Sequence, residues 1–301
     1  MHPLFVIFFG FLATSHGYIL DPGCARDPTI EALVVAGLNH AFDTASAAEE
    51  ALNMRPWNRD AHGPLMDLAD WIFREDGSAP TNTYPAFPPP SPMAEFNPDD
   101  PRNRLDKARD VFNLILMNRG RTDRERSGEF IVFCDTDRYK TSERHAGKVW
   151  DSVRKAFSIE TYIKQCGTNP FLQAWTMEIF GESDILQICP RFLKQTAKAR
   201  FPFSAPLVDL QTTNPVLFTT MDTYGALMDG VLLHEMTHTG WAGGLDDVQA
   251  NGGPYRWKNI LTKTPADSIK NADSVEYFAL GARMIRNQGY KPNRDGSLTR
   301  M

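Results

Sequence analysis

The sequence lacks a long hydrophobic run beyond its first residues, and it lacks an excess of basic side chains. A helix that crosses a bilayer needs about 20 consecutive apolar residues, whereas the longest uninterrupted run, residues 3–13, has only 11. Lys and Arg number 32 against 37 Asp and Glu, which gives a net charge of −5. Such a chain has no cationic surplus with which to hold nucleic acid or an anionic membrane. We therefore expect neither among its partners.

The apolar run at the start has the length of a signal-peptide core rather than that of a membrane span. Small residues follow it, with Ser15 and Gly17 at the positions that must be small when cleavage occurs after Gly17. The pattern predicts a signal peptide over residues 1–17 and a secreted, extracellular protein. The alternative is a frayed hydrophobic N-terminus or a buried strand.

Cysteine is scarce, and none of it is arranged as CxxC, which argues against a thiolate zinc knuckle. An even number of cysteines in an exported chain predicts disulfides. We expect two, with three possible pairings among Cys24, Cys134, Cys166 and Cys189. No Asn-x-Ser/Thr triplet occurs, so N-glycosylation is not expected.

Proline is concentrated in one stretch, because eight of the 21 prolines fall within residues 80–101. This composition predicts an extended loop. Helical spacing of apolar residues precedes and follows it. We divide the chain after the signal peptide into an N-terminal helical extension, residues 18–125, and a second region, residues 126–301. The pattern leaves open whether the extension is a separate domain, a removable pro-segment or a helical addition.

Local signals predict an α+β fold that is mainly helical. Asp27-Pro28 and Thr264-Pro265 each resemble a helix N-cap followed by proline at the first helical position. Residues 225–239 have the character of a helix. Residues 129–134 and 185–190 are short, apolar and end at or near a cysteine, which predicts strands of a small sheet.

The most informative motif is His234-Glu235-Met236-Thr237-His238. Residues four apart lie on one face of a helix, so His234 and His238 present two imidazoles to one point. Glu235 is offset enough to act on a water molecule rather than on the metal. Two nitrogen ligands, a third ligand elsewhere and an open position are what a zinc hydrolase requires. The motif predicts one Zn²⁺ per chain and Glu235 as the general base.

The third ligand must come from residues downstream. A histidine six residues after His238, as in metzincins, is excluded because Gly244 occupies that position. Glu276 is the only glutamate after the motif and is the ligand that a gluzincin would use. Asp246 and Asp247 follow the glycine turn and are close enough in sequence to fold back onto the metal. From the residues alone these alternatives stay open.

The downstream sequence resembles a known family. His-Glu-Met-Thr-His, Gly244-Leu-Asp-Asp-Val and Asn271-Ala-Asp-Ser-Val-Glu-Tyr-Phe-Ala279 are similar to motifs of the deuterolysin and peptidyl-Lys metalloendopeptidase group, the aspzincins, which are fungal secreted proteases. The resemblance covers roughly residues 220–285. It implies a zincin-like fold with a small antiparallel-edged sheet, in which residues 126–301 form the zinc metallopeptidase region and the HExxH helix carries the active site.

The resemblance also implies roles for single residues. It makes His234, His238 and Asp247 the metal ligands, with Asp246 as the alternative to Asp247. The family's motif tyrosine, which steadies the oxyanion, falls on Ala250 here. Tyr255 follows a flexible Asn-Gly-Gly-Pro segment that can place its ring at the same point, so we assign it a catalytic role; the alternative is packing beside a tryptophan.

Asp273 and Glu276 are three residues apart and share one face of the predicted helix. In the lysine-specific members of the family, acids at these positions bind the side chain that follows the scissile bond. The resemblance therefore implies substrate-binding roles and a preference for lysine there. The sequence as a whole predicts a monomeric zinc metalloendopeptidase acting on proteins or peptides. The alternatives are a secreted binding or effector module with little catalysis, and a gluzincin that uses Glu276.

Overall fold

The structure, a computed structural model, describes most of the chain: residues 17–73, 83–84, 104–122, 129–141, 145–178, 183–204, 220–249 and 253–301. Nearly all of the predicted signal peptide, most of the proline-rich loop and Ala250 lie outside these residues. The fold is α+β, as the sequence predicts. Among the described residues, no helix combines the length and apolar character needed to cross a bilayer.

The central sheet has four strands in the order β1-β4-β9-β8: Tyr18–Leu20 (β1), Phe130–Phe133 (β4), Asp184–Ile188 (β9) and Ala174–Met177 (β8). β1, β4 and β9 run parallel, and β8 pairs with β9 in the antiparallel direction. The two strands predicted from the sequence are therefore the two central ones. β8 forms an antiparallel edge of the sheet.

The described part of the chain contains three further small sheets. A two-stranded ribbon pairs β2 with β3, a three-stranded antiparallel sheet has the order β5-β6-β7, and a second ribbon pairs β10 with β11. Their strands are Trp57–Asn58 (β2), Thr83–Tyr84 (β3), Tyr139–Thr141 (β5), Lys148–Asp151 (β6), Ala156–Ile159 (β7), Tyr290–Pro292 (β10) and Leu298–Arg300 (β11).

Ten α-helices are present among the described residues: Pro28–Asn53 (α1), Arg59–Phe73 (α2), Arg104–Met117 (α3), Glu160–Thr168 (α4), Pro190–Thr196 (α5), Met221–Gly225 (α6), Met228–Thr237 (α7), Trp257–Ile260 (α8), Pro265–Ser268 (α9) and Ala272–Arg283 (α10). The two predicted N-caps are confirmed. Asp27 accepts a hydrogen bond from the Thr29 amide at 2.9 Å, and Thr264 accepts one from Asp267 at 3.2 Å. The helix at Pro265 is short, however, and a second helix begins at Ala272.

The longest helix, α1, packs directly against α7 and α10. Gly37 allows the close approach, because a Cβ atom there would lie 2.9 Å from Leu232 Cδ1 on α7. Side chains from both sides of position 125 belong to one buried cluster, and β1 pairs with β4 across the same division. The described part of residues 18–122 thus shares its core with the region that carries the HExxH motif.

Two disulfides are present, as predicted, and the structure fixes their pairing. Cys24 is joined to Cys134 and Cys166 to Cys189. The first links the segment between β1 and α1 to the residue that follows β4. The second ties α4 to the residue that follows β9. Each bond therefore anchors another segment at the end of one of the two central strands.

Candidate metal centre

The motif helix α7 is buried along its whole length. His234 and Glu235 lie in its last turn, and His238 is its C-cap residue. The predicted helix over 225–239 is therefore shorter than expected, because a turn at Ala226–Leu227 separates α6 from α7. This helix packs against both α1 and α10.

A glycine turn brings the chain back toward these imidazoles. Gly243 and Gly244 have φ angles of 115° and 54°, a region in which residues other than glycine are strained. The Leu245 amide then donates to the Thr237 carbonyl at 2.9 Å. One residue later, Asp246 pairs through its backbone with the segment before α10, since its amide donates to Lys270 O at 2.9 Å. The turn therefore lies between two fixed backbone segments.

Three side-chain atoms converge in front of α7. His234 Nε2 is 3.0 Å from His238 Nε2, and Asp247 Oδ1 is 3.4 Å and 3.5 Å from these two atoms. A tetrahedral zinc ion with bonds of 2.0–2.1 Å places its ligand atoms about 3.3 Å apart. Asp247 Oδ1 is buried and has no hydrogen-bond partner. The three atoms thus have the chemistry and the spacing to hold zinc.

The structure separates the three acids proposed as the third ligand. Asp246 is exposed and is held in place through its backbone. Glu276 lies behind His234, with its Oε2 3.7 Å from Nδ1, whereas the ligand atoms meet at Nε2. Of the three, Asp247 alone faces both Nε2 atoms.

Each imidazole also has a polar neighbour at its second nitrogen. His238 Nδ1 contacts the Leu245 carbonyl, which as an acceptor places the proton on Nδ1 and leaves Nε2 as a free donor to a metal. His234 Nδ1 lies 2.8 Å from Asp273 Oδ1, which is an ion-pair distance, although the angle does not make a hydrogen bond. A carboxylate or carbonyl at this position orients a metal-binding histidine and raises its basicity.

In the metal-free cluster, the acidic side chains and the imidazoles shift each other's pKa. Burial alone would lower the pKa of His234, but Asp247 and Asp273 outweigh it and raise that pKa well above its ordinary value. Burial would raise the pKa of Asp247, but His234 and His238 outweigh it and lower that pKa. These shifts favour a protonated His234 beside an ionised Asp247, and a metal ion bound at the same atoms would compete with that proton.

Glu235 is buried beside the ligands and contacts the edge strand. Thr176, on β8, has its hydroxyl 2.8 Å from Glu235 Oε2 and 2.9 Å from the Glu235 carbonyl. The predicted general base is thus held between its own helix and the sheet.

Tyr255 lies at the mouth of the site and is 50% exposed. Its hydroxyl donates to Asp247 Oδ2 at 2.6 Å, and its ring lies 5.9 Å from that of His234. Burial, followed by the Asp247 carboxylate, raises the pKa of Tyr255, so the phenol keeps its proton. The structure brings this residue to the cluster rather than into a packing role beside Trp257.

Asp273 and Glu276 do share one face of α10, but that face is buried. They are 5% and 3% exposed. Asp273 contacts His234 with one oxygen, and its other oxygen accepts from the Arg256 amide at 2.8 Å. These two acids therefore lie behind the imidazole, not on the wall of an open pocket, because α10 packs this face against α7.

Glu276 occupies space that two glycines leave open. A Cβ at Gly230 would lie 2.9 Å from Glu276 Oε1, and one at Gly225 would lie 3.1 Å away. Burial, and then the nearby Asp273 carboxylate, raises the pKa of Glu276 well above its ordinary value. The environment thus favours the neutral acid.

No family model, curated protein or solved structure matches this chain. What the site can do must therefore be inferred from its own geometry. Two contacts in the site, Thr176 with Glu235 and Asp273 with His234, could not be predicted from the sequence. Thr176 lies 59 positions from Glu235 and belongs to no motif. Asp273 is visible in the sequence as an acid on a helix, but its contact with His234 depends on how α10 packs.

Proposed function

We propose that this chain is a secreted zinc metallopeptidase of the aspzincin type, which hydrolyses peptide bonds within proteins. The observation that carries the proposal is the convergence of His234 Nε2, His238 Nε2 and Asp247 Oδ1 at distances of 3.0–3.5 Å. One zinc ion per chain would occupy this point. The two disulfides are typical of proteins that function in an oxidising compartment and support secretion.

The three ligands leave one side of the site open. Asp247 and His238 are partly exposed, whereas His234 is nearly covered. When bound, zinc supplies a Lewis acid that polarises a carbonyl group and makes water more acidic. Glu235 accepts the proton of the attacking water and returns it to the leaving amine. The phenol of Tyr255 lies at the mouth, where it can donate to the negative charge that develops on the carbonyl oxygen.

The neighbouring sheet suggests how a peptide would bind. β8 is an edge strand and carries Thr176, whose hydroxyl contacts Glu235. An extended peptide that pairs with an edge strand gains backbone hydrogen bonds whatever its sequence. A peptide along β8 would have its backbone beside the general base, which favours a peptide bond as the substrate.

The preference for lysine after the scissile bond stays a prediction, and the placement of Asp273 and Glu276 gives it no direct support. Both acids are buried, and Asp273 already has a partner at each oxygen. Cleavage of peptides that differ only in Lys, Arg or Ala at that position will test it. Equal rates would exclude the preference.

The decisive experiment measures zinc content and casein hydrolysis for the wild type and four variants. We expect Glu235→Gln to bind zinc but lose hydrolysis by at least about a hundredfold. Asp247→Ala should lose zinc, whereas its neighbour Asp246→Ala, the matched control, should retain both zinc and activity. Glu276→Ala should keep zinc, because Glu276 lies on the Nδ1 side of His234.

Three results would contradict the proposal. Zinc retained in Asp247→Ala and lost in Glu276→Ala would favour the gluzincin arrangement. Stoichiometric zinc without hydrolysis of any protein in the wild type would favour a binding or effector module. Absence of zinc binding by the wild type would exclude the metal centre itself.

A further inference from the structure

The position of Glu235 depends on a residue outside its own helix. Thr176 Oγ1 lies 2.8 Å from the Glu235 carboxylate and 2.9 Å from the Glu235 carbonyl oxygen. A hydroxyl group has one proton to donate. It can therefore serve one of these two acceptors at a time.

The Glu235 carbonyl already has a donor. The His238 amide donates to it at 3.2 Å, as the last turn of the helix closes. The Thr176 proton is therefore not needed there, and the ionised carboxylate is the stronger acceptor, because hydrogen bonds to charged groups are stronger than neutral ones. The hydroxyl is thus available to the side chain that must accept a proton.

We propose that Thr176 is a positioning residue that holds the Glu235 carboxylate in the orientation needed for proton transfer. This inference rests on the proposed function. A glutamate side chain has three rotatable torsions, and the hydroxyl fixes its far end.

The location of Thr176 gives this contact a second consequence. The same edge strand that would pair with the peptide backbone also holds the base. The distance between the scissile bond and the Glu235 carboxylate is then set by one strand instead of by two independently moving parts. Small errors in such distances reduce rates by about a hundredfold.

The test compares Thr176→Val with Thr176→Ser in the full-length, zinc-loaded protein. Valine keeps the shape and suits a strand, but it removes the hydroxyl. Serine keeps the hydroxyl. We expect Thr176→Val to lower kcat by about tenfold to a hundredfold, with KM and zinc content within about twofold of the wild type. Thr176→Ser should retain kcat within about threefold.

Two controls make the result specific. Thr141→Val changes an exposed threonine on β5, in another sheet, and should leave kcat unchanged. In the Glu235→Gln background, Thr176→Val should lower the residual rate no further, because the group that it positions is gone.

Several outcomes would overturn the inference. One is a Thr176→Val enzyme whose kcat equals that of the wild type. In that case the proposed function would still stand, provided that the wild-type protein binds zinc and hydrolyses its substrate. Another is an equal loss in both Thr176 variants with a lowered melting temperature, which would assign the residue a structural role only. A wild type that binds no zinc and cleaves no peptide would remove the function and the inference together.

Discussion

The two nitrogens of His234 face two different environments. Nε2 faces His238 and Asp247 on a side that is partly open to solvent. Nδ1 faces Asp273 and Glu276 in the interior. Each side offers a set of groups close enough to hold a metal ion. The first side has two imidazole nitrogens and is partly open to solvent, whereas the second has one nitrogen and two buried carboxyl groups. The comparison teaches that acidic residues near a histidine are not equivalent. Asp247 lies where the proposed ion would bind, whereas Asp273 and Glu276 lie on the other side of the ring.

Three substitutions test this comparison, and Asp273→Asn should have the largest effect. The amide keeps the size of the side chain but removes the charge that faces His234 Nδ1 at 2.8 Å. Partners of this kind change metal affinity or activity by about tenfold to a hundredfold. We expect a loss of that size in zinc affinity, measured by competition with a chromophoric chelator. Unchanged affinity would show that the interior side does not act on the ligand.

A smaller effect is expected from Tyr255→Phe on the open side. Loss of the phenol removes the donor to Asp247 Oδ2, but Oδ1 still faces both histidines. We expect zinc content to stay at one per chain and kcat to fall about tenfold, because one hydrogen-bond donor to the transition state is lost. Tyr277→Phe removes a hydroxyl bonded to Asp222, away from the ligand atoms, and serves as the control. Equal losses in both variants would contradict the assignment.

The smallest effect is expected from Glu276→Gln, and it concerns stability. Because folding raises the pKa of Glu276, its contribution is most favourable below the ordinary glutamate pKa and is lost as pH rises toward the raised value. Glutamine imitates the neutral acid and does not titrate. For the metal-free proteins, the variant should unfold about 2–4 °C higher than the wild type at pH 8, with a smaller difference at pH 5.

Thermal unfolding in a chelator at both pH values measures this difference. A variant that is less stable than the wild type at pH 8 would mean that Glu276 is ionised in the fold. Zinc affinity should change by less than about threefold in the same variant, in contrast with Asp273→Asn.

Local chemistry accounts for what could be predicted from the sequence. The four-residue spacing of His234 and His238 fixes their shared face, and the proline-containing caps at Asp27 and Thr264 mark helix starts correctly. The glycine turn also indicates that a carboxylate returns to the motif helix. These features depend on residues close together in the chain.

The features that could not be predicted from the sequence depend on long-range packing. Thr176 contacts Glu235 only because β8 lies at the edge of the sheet beside α7. The spacing of Asp273 and Glu276 correctly predicts a shared face, but burial of that face depends on α10 packing against α7. Gly37 carries no signal for its contact with Leu232, so the sequence does not reveal that α1 supports the motif helix.

The most direct test of the central claim is the anomalous diffraction of zinc in a crystal of the zinc-loaded protein, measured at the zinc absorption edge. The account predicts one strong peak within about 2.0–2.2 Å of His234 Nε2, His238 Nε2 and an Asp247 carboxylate oxygen. A peak on the other side of the ring, bound by His234 Nδ1, Asp273 and Glu276, or no peak at either place, would contradict it.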